Sequence, residues 1–361
     1  MRPLFFILAF FFFLASCTPP TPVAERPATA KNVILLIGDG MGLAQLSTAY
    51  YYGDSTPNFS RFPVVGLHQP QPSGAKITDS AAGATAFSTG FKSFNSAIGV
   101  STDSSAQETL LEIAASMDKK TGVIATSSIT HATPASFFAH VVNRNFHEDI
   151  ALQFVNAPVD FAAGGGYQYF CNRSDSLNLL DSLSAKGMQW DTTSLTTDMN
   201  PESRYAFLLG PDSLHSMRGG RGNFLPEATA DAIDFLSTDT DGFFLMVEGS
   251  QIDWGGHANN AEYIITEVAD FDQTLGAVLD YAEQDGNTLV VVTADHETGG
   301  FALSSLQVYG RRDYGYINPT FSTGGHTATL IPVLAFGPGA DKFGGIYQNT
   351  DIFSKIREIL Q

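Results

Sequence analysis

The sequence predicts an α/β fold with a large, mostly parallel central sheet and helices on both faces. Residues 33–37, 122–126, 243–247, 289–293 and 331–336 are short apolar runs without polar alternation, the pattern of parallel strands buried on both faces. Helical patterns lie between the runs, and strands alternating with helices build layered sheets. Four of the runs pass straight into polar residues, and open α/β sheets bind their ligands outside the carboxyl ends of the strands.

In chain order, residues 1–16, "MRPLFFILAFFFFLAS", carry one arginine and then a phenylalanine-rich core too short for a comfortable membrane span. They read as an export signal. The end, Leu14-Ala15-Ser16-Cys17, resembles a bacterial lipoprotein cleavage box. Cys17 is therefore expected to carry a lipid that anchors the exported chain to a bacterial membrane, facing the periplasm or the cell surface. An ordinary secretory signal is the alternative. Residues 17–31 read as a proline-rich tether, and residues 32–361 are expected to form a single domain.

The first run leads into Gly38-Asp39-Gly40. "ITDSAAGATAFSTG" follows at residues 77–90, where Asp79 and Ser80 can open a helix of small residues. Such a helix can simply pack closely on a sheet. It can also present a nucleophile at its N-terminus, where free N–H groups and the helix dipole favour an anion. The second run leads through Ser127 into "ITHATP", and the stretch from about residue 160 to 235 is rich in turn residues and assigned no elements of its own. The third run ends on Glu248 in "EGSQIDWGGHANN". Asp253 and His257 there are four apart, on one face if the segment is helical. Gly255-Gly256 leaves a tight turn as the other route to convergence. Residues 261–283 place Ile264, Ile265, Val268, Phe271, Leu275, Val278 and Leu279 on one stripe, with Gly286 as the stop. The fourth run leads to Asp295-His296, which converge only if the chain turns as the strand ends. His326 lies in a glycine-rich loop before the last run, and the short segment 302–320 leaves no room for a large accessory domain.

The net charge of −18 argues against nucleic acid as a specific partner. It does not exclude an anionic substrate, because bound cations reverse the local field. Beyond Cys17 only Cys171 remains, so the domain has neither an internal disulfide nor a thiolate metal site. Three histidines and four acids beside strand ends suit a catalytic zinc rather than a closed structural one. No G-x-S-x-G motif is present, which leaves a metal as the activator for Ser80.

"NVILLIGDGMG", "ITDSAAGATAFSTG", "THATPASFFAH", "VEGSQIDWGGH", "VTADHETGG" and "GGHTATLIP" occur in the order seen in alkaline phosphatases, and the chain resembles that family over roughly residues 32–338. The resemblance implies an alkaline-phosphatase-like three-layer sandwich and a metal-dependent phosphomonoesterase of broad range. It would release phosphate by two in-line displacements through a phosphoserine at Ser80. It implies one Zn²⁺ held by Asp253, His257 and His326, and a second held by Asp39, Asp295 and His296 that also binds the Ser80 oxygen. A Mg²⁺ would share Asp39 with Thr133 and Glu248. Arg144 matches the arginine that clamps phosphate, with Asp79 orienting it. Two positions depart from the best-known bacterial pattern. His131 replaces an aspartate near the Mg²⁺ and Trp254 replaces a lysine close to the phosphate, a pair similar to cold-marine members. The resemblance also favours a homodimer. A diesterase, a sulfatase and a phosphoglycerate mutase are alternatives in the same fold, and a non-catalytic, metal-stabilised surface lipoprotein is one outside it.

Overall fold

The computed structural model describes residues 29–308 and 310–360; the export signal, the lipid site at Cys17 and most of the tether lie outside the described residues. The strands are β1 (Asn32–Gly38), β2 (Val64–Gln69), β3 (Lys120–Ser128), β4 (Phe161–Gly165), β5 (Met188–Asp191), β6 (Arg204–Leu208), β7 (Phe243–Gly249), β8 (Thr288–Thr293), β9 (Glu297–Thr298), β10 (Ala302–Val308), β11 (Arg311–Thr320), β12 (His326–Thr327), β13 (Ile331–Phe336) and β14 (Gly345–Gln348). The helices are α1 (Leu43–Tyr52), α2 (Ser80–Thr89), α3 (Leu110–Ser116), α4 (Ala132–Ala135), α5 (His147–Phe154), α6 (Gln168–Cys171), α7 (Leu179–Ala185), α8 (Phe224–Leu236), α9 (Gln251–His257), α10 (Ala261–Asp285) and α11 (Thr350–Ile359).

Ten strands form one sheet in the order β14-β2-β13-β8-β1-β7-β3-β4-β6-β5. Period-two alternation splits β1 between its two faces. Val33, Leu35 and Ile37 join a core with Phe87 of α2, Leu111 of α3 and Ile352 of α11, while Ile34 and Leu36 join one with Leu225 of α8 and Phe271 of α10. Each such fully buried side chain contributes about 1.5–3 kcal/mol relative to exposure. The result is the expected three-layer arrangement.

Four details differ from the sequence reading. Residues 331–336, taken as a parallel strand, run antiparallel to both neighbours, β2 and β8. A parallel strand needs a crossover that carries the chain back to the amino end of the sheet. The chain between β8 and β13 instead stays on the carboxyl side as the β10–β11 hairpin and the small β9–β12 pair, and re-enters the sheet from that side. The turn-rich stretch contains β4, β6 and β5, which complete one edge of the sheet. Helix α10 stops at Gly286 (φ 70°) as expected, but Ile265 is turned off its buried face. Glu267 and Asp270 are buried instead, paired with Arg221 at 2.5 and 2.8 Å. Finally, Ala30, assigned to the tether, is buried and donates to the Ile359 carbonyl. Among the described residues no helix is long and apolar enough to cross a membrane.

Candidate active site

The carboxyl ends of β1, β7, β3 and β8 bring Asp39, Glu248, Thr133 and Asp295-His296 to one place. Because β13 runs the other way, the residues before it, rather than after it, reach this end, and they deliver His326. Gly40 turns the chain away from Asp39 with φ 71°, and a Cβ on it would stand 2.7 Å from the Asp253 Cα. The small residues after Ser80 have a similar cause: a Cβ on Gly83 would meet the Asp295 side chain at 2.9 Å, so α2 can lie against the site. Asp253 and His257 fall on the short helix α9, four apart, with the His257 Nε2 3.3 Å from the Asp253 Oδ2.

Ser80 begins α2 and is buried, its Oγ 3.3 Å from the His296 Nε2. Asp79 is the N-cap. One of its oxygens accepts from the Ala82 N–H, and the other accepts from the Ser96 N–H (2.9 Å) and from Arg144 Nη1 (3.3 Å). Arg144 Nη2 lies 3.2 Å from His131 Nε2. Burial, then the positive charges of Arg144 and His147, push His131 down to about 3, so its ring is neutral and accepts from the guanidinium. Trp254 meets that ring edge to face, with centroids 6.2 Å apart.

Each of the three ligand-type histidines has Nδ1 on an oxygen: His257 on the Gly324 carbonyl (2.7 Å), His326 on the Thr78 carbonyl (2.8 Å) and His296 on the Thr298 hydroxyl (3.1 Å). Carbonyls only accept, and the Thr298 hydroxyl gives its own hydrogen to Asp253 Oδ1, so in the neutral rings Nδ1 carries the proton and Nε2 offers a lone pair. These Nε2 atoms converge. His257 and His326 face each other at 3.1 Å, His326 lies 3.7 Å from Asp253, and His296 lies 3.2 and 3.6 Å from Asp295 and Asp39. His296 also groups with Asp253 and His326, so it stands between the two expected clusters.

The electrostatics call for cations. Asp39, Glu248, Asp253 and Asp295 are all buried here. Burial, reinforced by Asp295, Asp253 and Glu248, holds Asp39 well above the usual carboxylate range. Burial lifts Glu248 to about 8, with Asp295 adding to it. Burial also works against an ionised Asp253, but its hydrogen bond to His257 and the facing histidines outweigh this and hold it well below. Asp253 in turn raises His257 to about 9; a field that favours a proton there favours a metal cation. Both oxygens of Asp39, one each of Glu248 and Asp295, the Thr133 hydroxyl and His131 Nδ1 are buried without hydrogen-bond partners. Oxygen-rich orphans around Asp39, Thr133 and Glu248 fit a hard cation, and mixed imidazole and carboxylate donors fit zinc.

Sequence reasoning missed the residues behind this array. Thr298 ties Asp253 to His296, and its only sequence signal is its place in "DHET". Ser250 gives Glu248 a 2.6 Å hydrogen bond and accepts from the Ser127 N–H. Gln251 bonds the Thr126 and Leu214 carbonyls at 3.0 Å, fixing the start of α9.

A buried serine at a helix N-terminus, an arginine paired with its N-cap and two groups of metal-ligand-type side chains at the strand ends are the parts of a phosphate-handling enzyme. The alkaline phosphatase profile matches residues 30–320, and the chain belongs to the alkaline phosphatase family, the phosphomonoester hydrolases. The structure of alkaline phosphatase from the Antarctic bacterium TAB5 superposes with a TM-score of 0.91 at 53% identity, covering 93% of this chain and 99% of that one. A His-to-Asp mutant of the TAB5 enzyme, with Mg bound in its M3 site, gives 0.90 at 51% identity over 93% and 99%. Alkaline phosphatase 3 of Bacillus subtilis is 32% identical over 92% of this chain and 89% of its own length.

Proposed function

We propose that the chain hydrolyses small phosphomonoesters through a phosphoserine at Ser80, with two Zn²⁺ and one Mg²⁺. The observation that carries this is the position of the Ser80 Oγ. It is buried at the start of α2, 3.3 Å from the His296 Nε2, and Asp79, the residue before it, holds Arg144. Asp253, His257 and His326 would hold one zinc, and Asp39, Asp295 and His296 the other. Asp39, Thr133 and Glu248 would hold magnesium. When bound, these ions supply positive charge that lowers the proton affinity of the serine and neutralises phosphate oxygens.

The protein's own groups do the rest. Arg144 offers two N–H groups to two phosphate oxygens, and the free N–H groups of α2 add to them. Asp79 and the neutral His131 hold the guanidinium on both sides, so it need not reorganise as charge develops. Ser80 loses its proton and forms the Oγ–P bond as the ester P–O bond opposite breaks, the alcohol taking up a proton as it leaves past the half-exposed His257; water then attacks from the vacated side, the Oγ–P bond breaks, and phosphate leaves while Ser80 regains a proton. Trp254 contributes an indole N–H and an apolar edge to the phosphate side.

Export with a lipid at Cys17, a homodimeric assembly, a broad substrate range and no specific nucleic-acid partner belong to the same proposal. The leader pattern supports the first, the family resemblance supports the dimer and the broad range, and the net charge of −18 supports the last. The test is Ser80→Ala in the metal-loaded enzyme. Metals should still bind while monoester turnover falls by at least about a thousandfold, and the parent enzyme should trap phosphate on Ser80. Near-full turnover in the variant, or faster hydrolysis of diesters or sulfate esters than of monoesters, sinks the proposal.

A further inference from the structure

Four residues before Arg144, every polar group of His140 is engaged. Its N–H donates to the Gln153 Oε1 (2.8 Å) and its carbonyl accepts from the Gln153 Nε2 (3.2 Å). On the ring, Nδ1 lies 2.8 Å from the Gly99 carbonyl and Nε2 3.1 Å from a Glu112 carboxylate oxygen. A carbonyl and a carboxylate only accept, so both ring nitrogens carry hydrogens. We propose that His140 is a positioning residue for phosphate: an imidazolium that fixes the segment 139–144 and thereby sets where the Arg144 guanidinium stands. The inference rests on the reading of Arg144 as the phosphate clamp.

The path from His140 to the site is continuous. Val141 pairs with Ile98 in both directions (2.9 and 3.0 Å), and the Arg144 N–H donates to the Ser96 carbonyl (2.8 Å). The segment therefore lies antiparallel along residues 96–99. That partner is itself fastened to α2, through the Gly99 N–H on the Thr85 hydroxyl (3.0 Å) and the Ser96 N–H on Asp79 (2.9 Å). Asp79 pins the end that carries Arg144, and His140 pins the other. The contact is built for closeness: Gly99 has φ 60°, and a Cβ on it would stand 2.1 Å from the Ala139 carbonyl oxygen.

Glu112 of α3 is the charged group facing the ring; α5 presents the neutral Gln153, and residues 96–99 present a carbonyl. Burial opposes the charge on His140, but the Glu112 and Gly99 bonds outweigh it and raise the imidazole above its ordinary value. Burial likewise works against Glu112, and the bonds from His140 and the Thr109 N–H outweigh that and hold it below the carboxylate range. The clamp is therefore intact below the raised value of His140. As the pH rises through it, one ring N–H is lost and either Gly99 or Glu112 loses its donor.

The test uses the metal-loaded, full-length enzyme, with 4-nitrophenyl phosphate as substrate and inorganic phosphate as inhibitor, from about pH 6 to about 10. His140→Gln should raise the phosphate Ki and KM about tenfold, the scale of one charged hydrogen bond, with kcat within about twofold. In an Arg144→Ala background it should add nothing, because both act through one group. Glu112→Gln keeps the capping box of α3 and should move the rise of Ki with pH to lower pH. This readout decides even if His140→Gln does not fold. The inference is overturned if His140→Gln adds its full effect on top of Arg144→Ala, or if the Ki profiles of Glu112→Gln and the parent superimpose. An Arg144→Ala enzyme with unchanged Ki overturns the clamp reading itself. With that variant weakened and His140→Gln unchanged, only the present inference falls.

Discussion

Replacing Thr298 by valine keeps the shape of the side chain and removes one hydroxyl, and the structure says what that hydroxyl does. It donates to Asp253 Oδ1 and accepts from His296 Nδ1 at 3.1 Å, and it is fully buried. Its loss takes a donor from an ionised carboxylate, worth about 1.5–3 kcal/mol, and leaves a buried imidazole N–H unpaired at about 1–3 kcal/mol. Part of this cost falls on folding rather than on metal affinity. The share that discriminates is the orientation of the two side chains proposed to hold different metals, for which about 10- to 100-fold in affinity is expected, or about 1.4–2.7 kcal/mol. The assay is activity against buffered free zinc, with chelator competition as an independent measure. The variant should need about 10- to 100-fold more zinc for half-maximal activity and approach parental kcat at saturation more closely than any ligand mutant. An unchanged zinc requirement would refute the claim that Thr298 sets the His296 tautomer.

Three further outcomes follow from the same reasoning. His131→Asp adds a carboxylate beside Asp39 and Glu248, so Mg²⁺ affinity should rise by about tenfold or more as measured by magnesium-dependent activity; unchanged dependence would remove His131 from that site. Arg221→Met leaves Glu267 and Asp270 buried without their cation and should destabilise the protein by about 3–5 kcal/mol in denaturant unfolding, while a loss below about 1 kcal/mol contradicts the pairing. In chelator-treated protein, Asp39 and Glu248 have folded values above their unfolded ones, so their stability is present at low pH and lost as pH rises, for Glu248 between about 4.5 and about 8. The thermal midpoint should therefore fall between about pH 5 and about 8, with the rise on adding metal largest at the upper end; a flat profile contradicts it.

Much of the site was legible because it is local. The helix start at Ser80, its Asp79 cap and the Asp253–His257 spacing are properties of a few neighbouring residues, and the folded chain keeps each of them. The short strands β4, β5 and β6 were hidden because strands of four or five residues among turns carry too little periodicity to register. The glycine pair in α9 argued against a helix by propensity, yet helix and glycines coexist: a Cβ on Gly255 would meet Ile264 at 2.8 Å, and one on Gly256 would meet Thr298 at 2.8 Å. Close packing overrode propensity there.

The sequence by itself determined five of the buried strands, where α2 begins, and which side chains supply nitrogen and oxygen donors, since long apolar runs and helix capping are written in short-range pattern. The tertiary structure alone decided the direction of β13, and with it the delivery of His326 to the site. An apolar run looks the same read either way, and only the absence of a crossover before it turns the strand around. It alone decided, too, that Thr298 joins Asp253 to His296 and that Ser80 lies beside His296, 216 positions away. Hydrogen bonds between distant segments depend on the packing of the whole sheet and leave no trace in local periodicity.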